Sequence, residues 1–187
     1  MTVEPLTDLA ARLPEWARDL KRNLADALAS PNLSAQQLWG VAVASSIAAR
    51  DPALRAAAFA AAAPHLSEAA LAAAKSAAAL MGMNNVYYRF THLVNEPAYQ
   101  KMPARLRMQA SIQSGIERND FELMALAVSA INGCGICMET HERHLVQHGV
   151  TRETVQDAVR LAAVLSGIAA ALEADARVDV APQRNTP

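Results

Sequence analysis

Alanine-rich runs that begin at helix-capping residues limit the fold most strongly: "DPALRAAAFAAAA", residues 51–63, and "SEAALAAAKSAAALMGM", residues 67–83. Alanine has the best helix propensity and little bulk, so such runs form helices that pack closely through small side chains. Apolar residues recur at three and four positions along the chain, and no alternating β-branched run proposes a strand. Of 187 residues, 52% are hydrophobic but only 4% aromatic, the balance expected of an all-α fold held together by small side chains. The expected architecture is one all-helical domain over 1–175 and a loose tail at 176–187, which has little to bury.

Punctuation residues divide the helices. The first region covers about 6–29, with Pro14 opening a second helix inside it. Then come 34–50, a helix to about 66 opened by Asp51-Pro52, and a long helix capped by Ser67 that runs toward Asn84 or beyond it. The segment "NNVYYRFTHLVNEPAYQKMPARLR", with Pro97 and Pro103 on either side of Tyr99 and Lys101, reads as a helix end and an ordered loop. Helices resume at 104–114 and 119–131, the latter with Asn119 and Glu122 at capping-box spacing. Gly149 suits the residue just past the end of the next helix, and Thr151 caps a last helix to about 175.

A shift of 84 residues sets "LWGVAVASSIAARDPALRAAA" on "ELMALAVSAINGCGICMETHE" and Ser67 on Thr151 without a gap, which outlines halves of about 34–95 and 117–175. Either a helical unit is duplicated, or alanine-rich helices match one another by chance. On the first reading Leu38, Arg50, Ala53 and Ala57 occupy the places of Glu122, Cys134, Cys137 and His141, so one half alone kept the reactive groups.

A net charge of −1 gives no electrostatic reason to expect nucleic acid or an anionic membrane as partner. The N-terminus lacks the basic and apolar regions of a secretory signal, and the weakly polar runs are interrupted by Lys75 or by prolines before reaching the ~20 apolar residues of a membrane span. A cytoplasmic protein without a transmembrane helix is expected. In a reducing compartment two cysteines point to catalysis or metal binding rather than a permanent crosslink.

Those cysteines lie in "INGCGICMETHERH", residues 131–144. A turn at Asn132-Gly133 puts Cys134 at the start of the next helix and Cys137 in its first turn, where unpaired amides and the helix dipole favour thiolate. The C-x-x-C spacing brings the sulfurs within reach of reversible disulfide chemistry. His141 lies one turn after Cys137 on the same face, with an ordinary pKa near ~6.5 that suits a base. Glu122, on the preceding helix, is placed to orient that histidine. Other readings stand beside this one. The cysteines could be small buried hydrophobes, Glu122 only a capping residue, and His144 and His148 a solvated edge. Cys134, Cys137, His141 and His144 could instead hold a structural zinc, although four ligands within eleven residues of one helical segment make a poor tetrahedron. Asp120, Glu139, Glu142 and Arg143 read as a solvated face. No strand precedes the motif, which argues against a thioredoxin-type unit.

The stretch "NDFELMALAVSAINGCGICMETHERHL" resembles the signature of the alkyl hydroperoxidase D proteins, AhpD, within the carboxymuconolactone decarboxylase-like superfamily. The glutamate twelve residues before the first cysteine, the Ser-Ala-Ile-Asn-Gly-Cys turn and C-x-x-C-x-x-x-H carry the likeness. It implies a homotrimeric all-α antioxidant enzyme without a bound cofactor, which reduces alkyl hydroperoxide or hydrogen peroxide and regenerates the peroxiredoxin AhpC. Electrons are expected from dihydrolipoamide on a lipoyl-bearing acyltransferase, kept reduced by lipoamide dehydrogenase. By the same resemblance Cys137 is the peroxide-reactive thiol that passes through sulfenic acid. Cys134 is the proton donor and resolving thiol, closing the Cys134–Cys137 disulfide and exchanging with the partner peroxiredoxin. His141, through a water, and Glu122 form the proton relay. Well-known members carry a histidine immediately before the second cysteine; Ile136 stands there in this chain.

Overall fold

The structure, a computed structural model, describes residues 4–94, 96–109 and 115–175. The tail expected at 176–187 lies outside the described residues. Among the described residues nine α-helices follow one another: α1 (Glu4–Ala11), α2 (Arg18–Leu28), α3 (Ala35–Ala49), α4 (Pro52–Ala62), α5 (Glu68–Leu93), α6 (Pro97–Lys101), α7 (Arg118–Ile131), α8 (Gly135–Gln147) and α9 (Arg152–Asp175). A 3-10 turn at Glu15–Ala17, directly after Pro14, leads into α2. The described residues contain no strand, so the all-α expectation holds.

Side-chain caps explain where most helices start. Ser34 accepts from the Gln37 amide at 3.2 Å while the Gln37 side chain accepts from the Ser34 amide at 3.0 Å, a reciprocal box. Asp51 accepts from the Leu54 amide at 2.7 Å with Pro52 as the first helical residue. Ser67 and Thr151 accept from the amides of Ala70 and Thr154.

At the centre α3 packs along α7, burying Val41, Val43, Leu123, Met124 and Val128 completely. Each central helix also packs on α5 and α9, while α4 follows α3 and α8 follows α7 on the outside. The shorter α1 and α2 cover α4 and α9 respectively. The close approach of α3 and α7 depends on Gly40, because a Cβ there would lie 2.1 Å from the Met124 methyl. α9 is long and apolar enough to cross a membrane by length and composition, and more than half of its apolar window is buried within this fold.

The starts of α3, α4 and α5 at residues 35, 52 and 68 recur in α7, α8 and α9 at 118, 135 and 152. Gln36 donates to Asp120 and Gly40 meets Met124, each residue touching the one 84 positions away. Contact between such counterparts is what an approximate two-fold axis through the α3–α7 crossing produces. This arrangement supports a duplication of 34–95 in 117–175, which we put forward as a proposal.

Five expectations need correction. First, the helix end and loop expected from Asn84 onward begin later, because α5 continues to Leu93. Its two asparagines remain helical because tertiary partners take up their side chains, Met108 for Asn84 and Ser129 and Asn132 for Asn85. Second, the Tyr99–Lys101 region is not loop but part of α6, for which Glu96 supplies the cap and Pro97 the first residue. Third, residues 103–108 are irregular rather than helical: Pro103 follows an extended Met102, and Arg105 takes a left-handed φ of 53°. The rest of that expected helix, 110–114, lies outside the described residues. Fourth, α7 has no capping box. Asn119 donates to the His148 carbonyl, and Glu122 is engaged elsewhere. Fifth, Asp120, expected on a solvated face, is buried and accepts from both Gln36 and Gln37.

Candidate active site

The turn that delivers the cysteines is built with no spare residue. Gly133 adopts φ 68°, and the Gly133 and Cys134 amides donate to the Ala130 and Ser129 carbonyls, the paired bonds of a Schellman ending to α7. Cys134 is at once the last residue of that motif and the N-cap of α8, its own carbonyl accepting from the Met138 amide. α5 holds the turn from the side. Asn85, almost fully buried, donates to Ser129 Oγ at 3.0 Å and accepts from the Asn132 side chain at 2.9 Å, while Arg89 donates to the Asn132 carbonyl at 2.6 Å.

Cys134 and Cys137 are joined as a disulfide, with Cα atoms 5.3 Å apart. The two sulfurs differ in access. Cys134 is 0% exposed, whereas Cys137 is 8% exposed and lines a pocket of about 640 Å³. Leu80, Met81 and Asn84 of α5, Phe121 of α7 and Ile136 of α8 also line this pocket, together with Met108 from the irregular segment. Cys137 therefore meets a mainly apolar cavity at the amide-rich start of α8.

Glu122 and His141 lie against the same cavity. His141 Nδ1 is 2.6 Å from Glu122 Oε2, and Arg118 donates to Oε1 of the same carboxylate at 2.6 Å. Burial pushes the Glu122 pKa up, but the hydrogen bonds and charges of His141 and Arg118 outweigh it and hold the carboxyl below its ordinary value. As a carboxylate, Glu122 only accepts, so Nδ1 carries a hydrogen and Nε2 is the nitrogen left to exchange a proton with the cavity. That nitrogen rests 3.3 Å from Met81 Sδ.

The structure thus brings together Cys134, Cys137, His141 and Glu122, four residues singled out from the sequence. His144 lines the pocket as well, and burial lowers its pKa, whereas His148 is exposed and stacks on the His144 ring. Sequence reasoning missed Arg118, whose i, i+4 spacing to Glu122 was a usable signal. It also missed the α5 wall of the pocket, for which two adjacent asparagines inside an alanine-rich helix were the only mark. The zinc alternative finds no support. The two sulfurs are bonded to each other, His141 Nδ1 is committed to Glu122, and no metal-like group of three His, Cys, Asp or Glu occurs among the described residues.

Residues 97–179 match the carboxymuconolactone decarboxylase family. Over nearly the whole chain the similarity is narrower. The chain is 51% identical over 171 residues to the alkyl hydroperoxide reductase AhpD of Solibacter usitatus, covering 91% of this chain and 97% of that protein. It is 50% identical over 168 residues to its namesake from Rhodospirillum centenum, covering 90% of each. A third, from Methylobacterium sp., is 52% identical over 168 residues, 90% of this chain and 96% of that protein. With a cysteine pair, a glutamate–histidine pair and an all-α fold in the arrangement described, and half of its residues shared along the length of these relatives, the chain belongs to the AhpD family.

Proposed function

We propose that this protein is a cytoplasmic antioxidant dithiol oxidoreductase of the alkyl hydroperoxide reductase type, which regenerates the peroxiredoxin AhpC with electrons from dihydrolipoamide. The observation that carries the reading is the Cys134–Cys137 disulfide in contact with a pocket that also holds the Glu122–His141 pair.

In the reduced enzyme the amide-rich start of α8 stabilises Cys137 as thiolate. The thiolate attacks one oxygen of a hydroperoxide and breaks the O–O bond. Cys137 becomes a sulfenic acid and the alkoxide takes a proton to leave as alcohol. Cys134 then attacks the sulfenic sulfur, the disulfide closes and water departs, so two thiols have supplied two electrons. Glu122 fixes His141 with Nε2 left to move protons to and from the sulfurs through a water. Because Cys137 alone of the pair lines the pocket, small substrates meet it first. Exchange of Cys134 with a peroxiredoxin requires the start of α8 to open.

The lipoyl-bearing acyltransferase and lipoamide dehydrogenase complete the electron supply in this reading. A homotrimer is part of it, and the exposed stripe of Val86, Phe90 and Leu93 along α5 supports contact with further copies of the chain. Trapping tests the chemistry. In Cys134→Ser, peroxide followed by a sulfenic-acid reagent should label Cys137 in proportion to peroxide added. No label on Cys137, with its thiol shown to be free beforehand, would contradict the assignment.

A further inference from the structure

Three buried polar side-chain atoms lack a hydrogen-bond partner among the described residues: Ser45 Oγ, Asn84 Oδ1 and His144 Nε2. Two of the three belong to residues lining the pocket of Cys137, one from α5 and one from α8. Unpaired buried polar atoms are costly to leave so, and here two of them converge on one cavity.

His144 is the reactive member. It follows Cys137 by seven residues and His141 by three, which puts all three on one face of α8. His141 already has Glu122 on Nδ1 and the Met81 sulfur against Nε2, whereas His144 Nε2 has no hydrogen-bond partner among the described residues. Burial lowers the His144 pKa from its ordinary value and so favours the neutral imidazole. Of the charged groups that act on it, Glu122 favours protonation, while Arg118, His141 and His148 oppose it.

We propose that His144 is the base that activates an incoming dithiol in the reductive half-reaction, an inference that rests on the dithiol reading above. A donor thiol enters the pocket with its S–H directed to His144 Nε2, and the proton passes to the imidazole. The freed thiolate attacks Cys137 Sγ, forming a mixed disulfide. The Cys134–Cys137 bond breaks, its electron pair remains on Cys134, and the imidazolium returns its proton to that sulfur. The second donor thiol then attacks the first donor sulfur, its proton passing through His144 to Cys137 as that sulfur is released, and the donor leaves as a cyclic disulfide. Two electrons and two protons have moved from donor to protein. Asn84 Oδ1 is an acceptor for the second S–H while it waits.

The test is quenched-flow reduction of the oxidised protein by dihydrolipoamide, reading free thiols by alkylation, across about pH 6.5 to 8.5. Without a base in the site the rate follows the donor thiolate and rises about tenfold per pH unit. With His144 acting, the wild-type rate is nearly flat over that range. His144→Gln and His144→Leu fall by about 10²-fold at pH 7 and acquire the tenfold-per-unit slope. Added imidazole restores the flat component in His144→Ala, which a packing role does not explain. If the wild-type rate already climbs tenfold per unit and both variants match it, the His144 assignment falls while the dithiol reading stands. If dihydrolipoamide does not reduce the wild-type disulfide at all, the two fall together.

Discussion

Glu122 orients His141: Oε2 of the buried carboxylate lies 2.6 Å from Nδ1 of the imidazole, leaving Nε2 to exchange protons with the pocket of Cys137. Glu122→Gln preserves the shape and removes the charge that fixes this orientation. Peroxide turnover in the substituted protein should fall by about 10²-fold in kcat/KM. Far-ultraviolet circular dichroism should stay unchanged. Steady-state kinetics with an alkyl hydroperoxide and a dithiol donor check this, and an activity within twofold of wild type contradicts the role.

The same carboxylate gives stability a pH dependence of known sign. Its native pKa lies below the ordinary glutamate value of about 4.5, so the ionised pair stabilises the fold above that pH, and the contribution is lost as pH falls through the lower native value. Arg118→Met removes one of the groups that lower it and moves the native value upward. Urea unfolding from about pH 3 to 7 should therefore show a shallower loss of stability in acid for Arg118→Met, and a shallower one still for Glu122→Gln. A steeper loss in either variant contradicts the account. At neutral pH the Arg118 effect is small, since its side chain is half exposed.

Asn85 ties α5 to the cysteine turn through Ser129 and Asn132. Asn85→Ala leaves the buried Ser129 and the half-buried Asn132 without this partner, which predicts a loss of about 1–3 kcal/mol in unfolding free energy. It should also slow disulfide closure after peroxide, because Cys134 is positioned by the same turn. An unfolding midpoint equal to that of wild type argues against the clamp.

The helical character of the chain, six of its helix starts and the residues Cys134, Cys137, His141 and Glu122 were legible because their causes are local. Caps such as Ser34, Asp51 and Ser67, and the positive φ of Gly149, leave marks within one turn of sequence. The pocket was not legible, because α5 and the segment around Met108 reach it from far along the chain. Asp120 looked solvated for the same reason: its partners Gln36 and Gln37 lie on another helix. Asn84 and Asn85 read as a helix end, although burial and distant partners keep them helical.

Gly40 sets the spacing of the two central helices. Gly40→Ala places a Cβ where the fully buried Met124 methyl now sits, so overpacking should cost about 1–3 kcal/mol. Adding Met124→Ala vacates that space. In a double-mutant cycle by urea denaturation the two losses should be clearly less than additive, and simple additivity contradicts the contact.

Consumption of NADH in a mixture of lipoamide dehydrogenase, lipoamide, AhpC, this protein and an alkyl hydroperoxide tests the central claim directly. Wild-type protein should sustain turnover that rises with its own concentration and with that of AhpC. Cys137→Ser should reduce it to the rate without the protein. Undiminished turnover with Cys137→Ser, or no turnover with the wild type, would contradict the account.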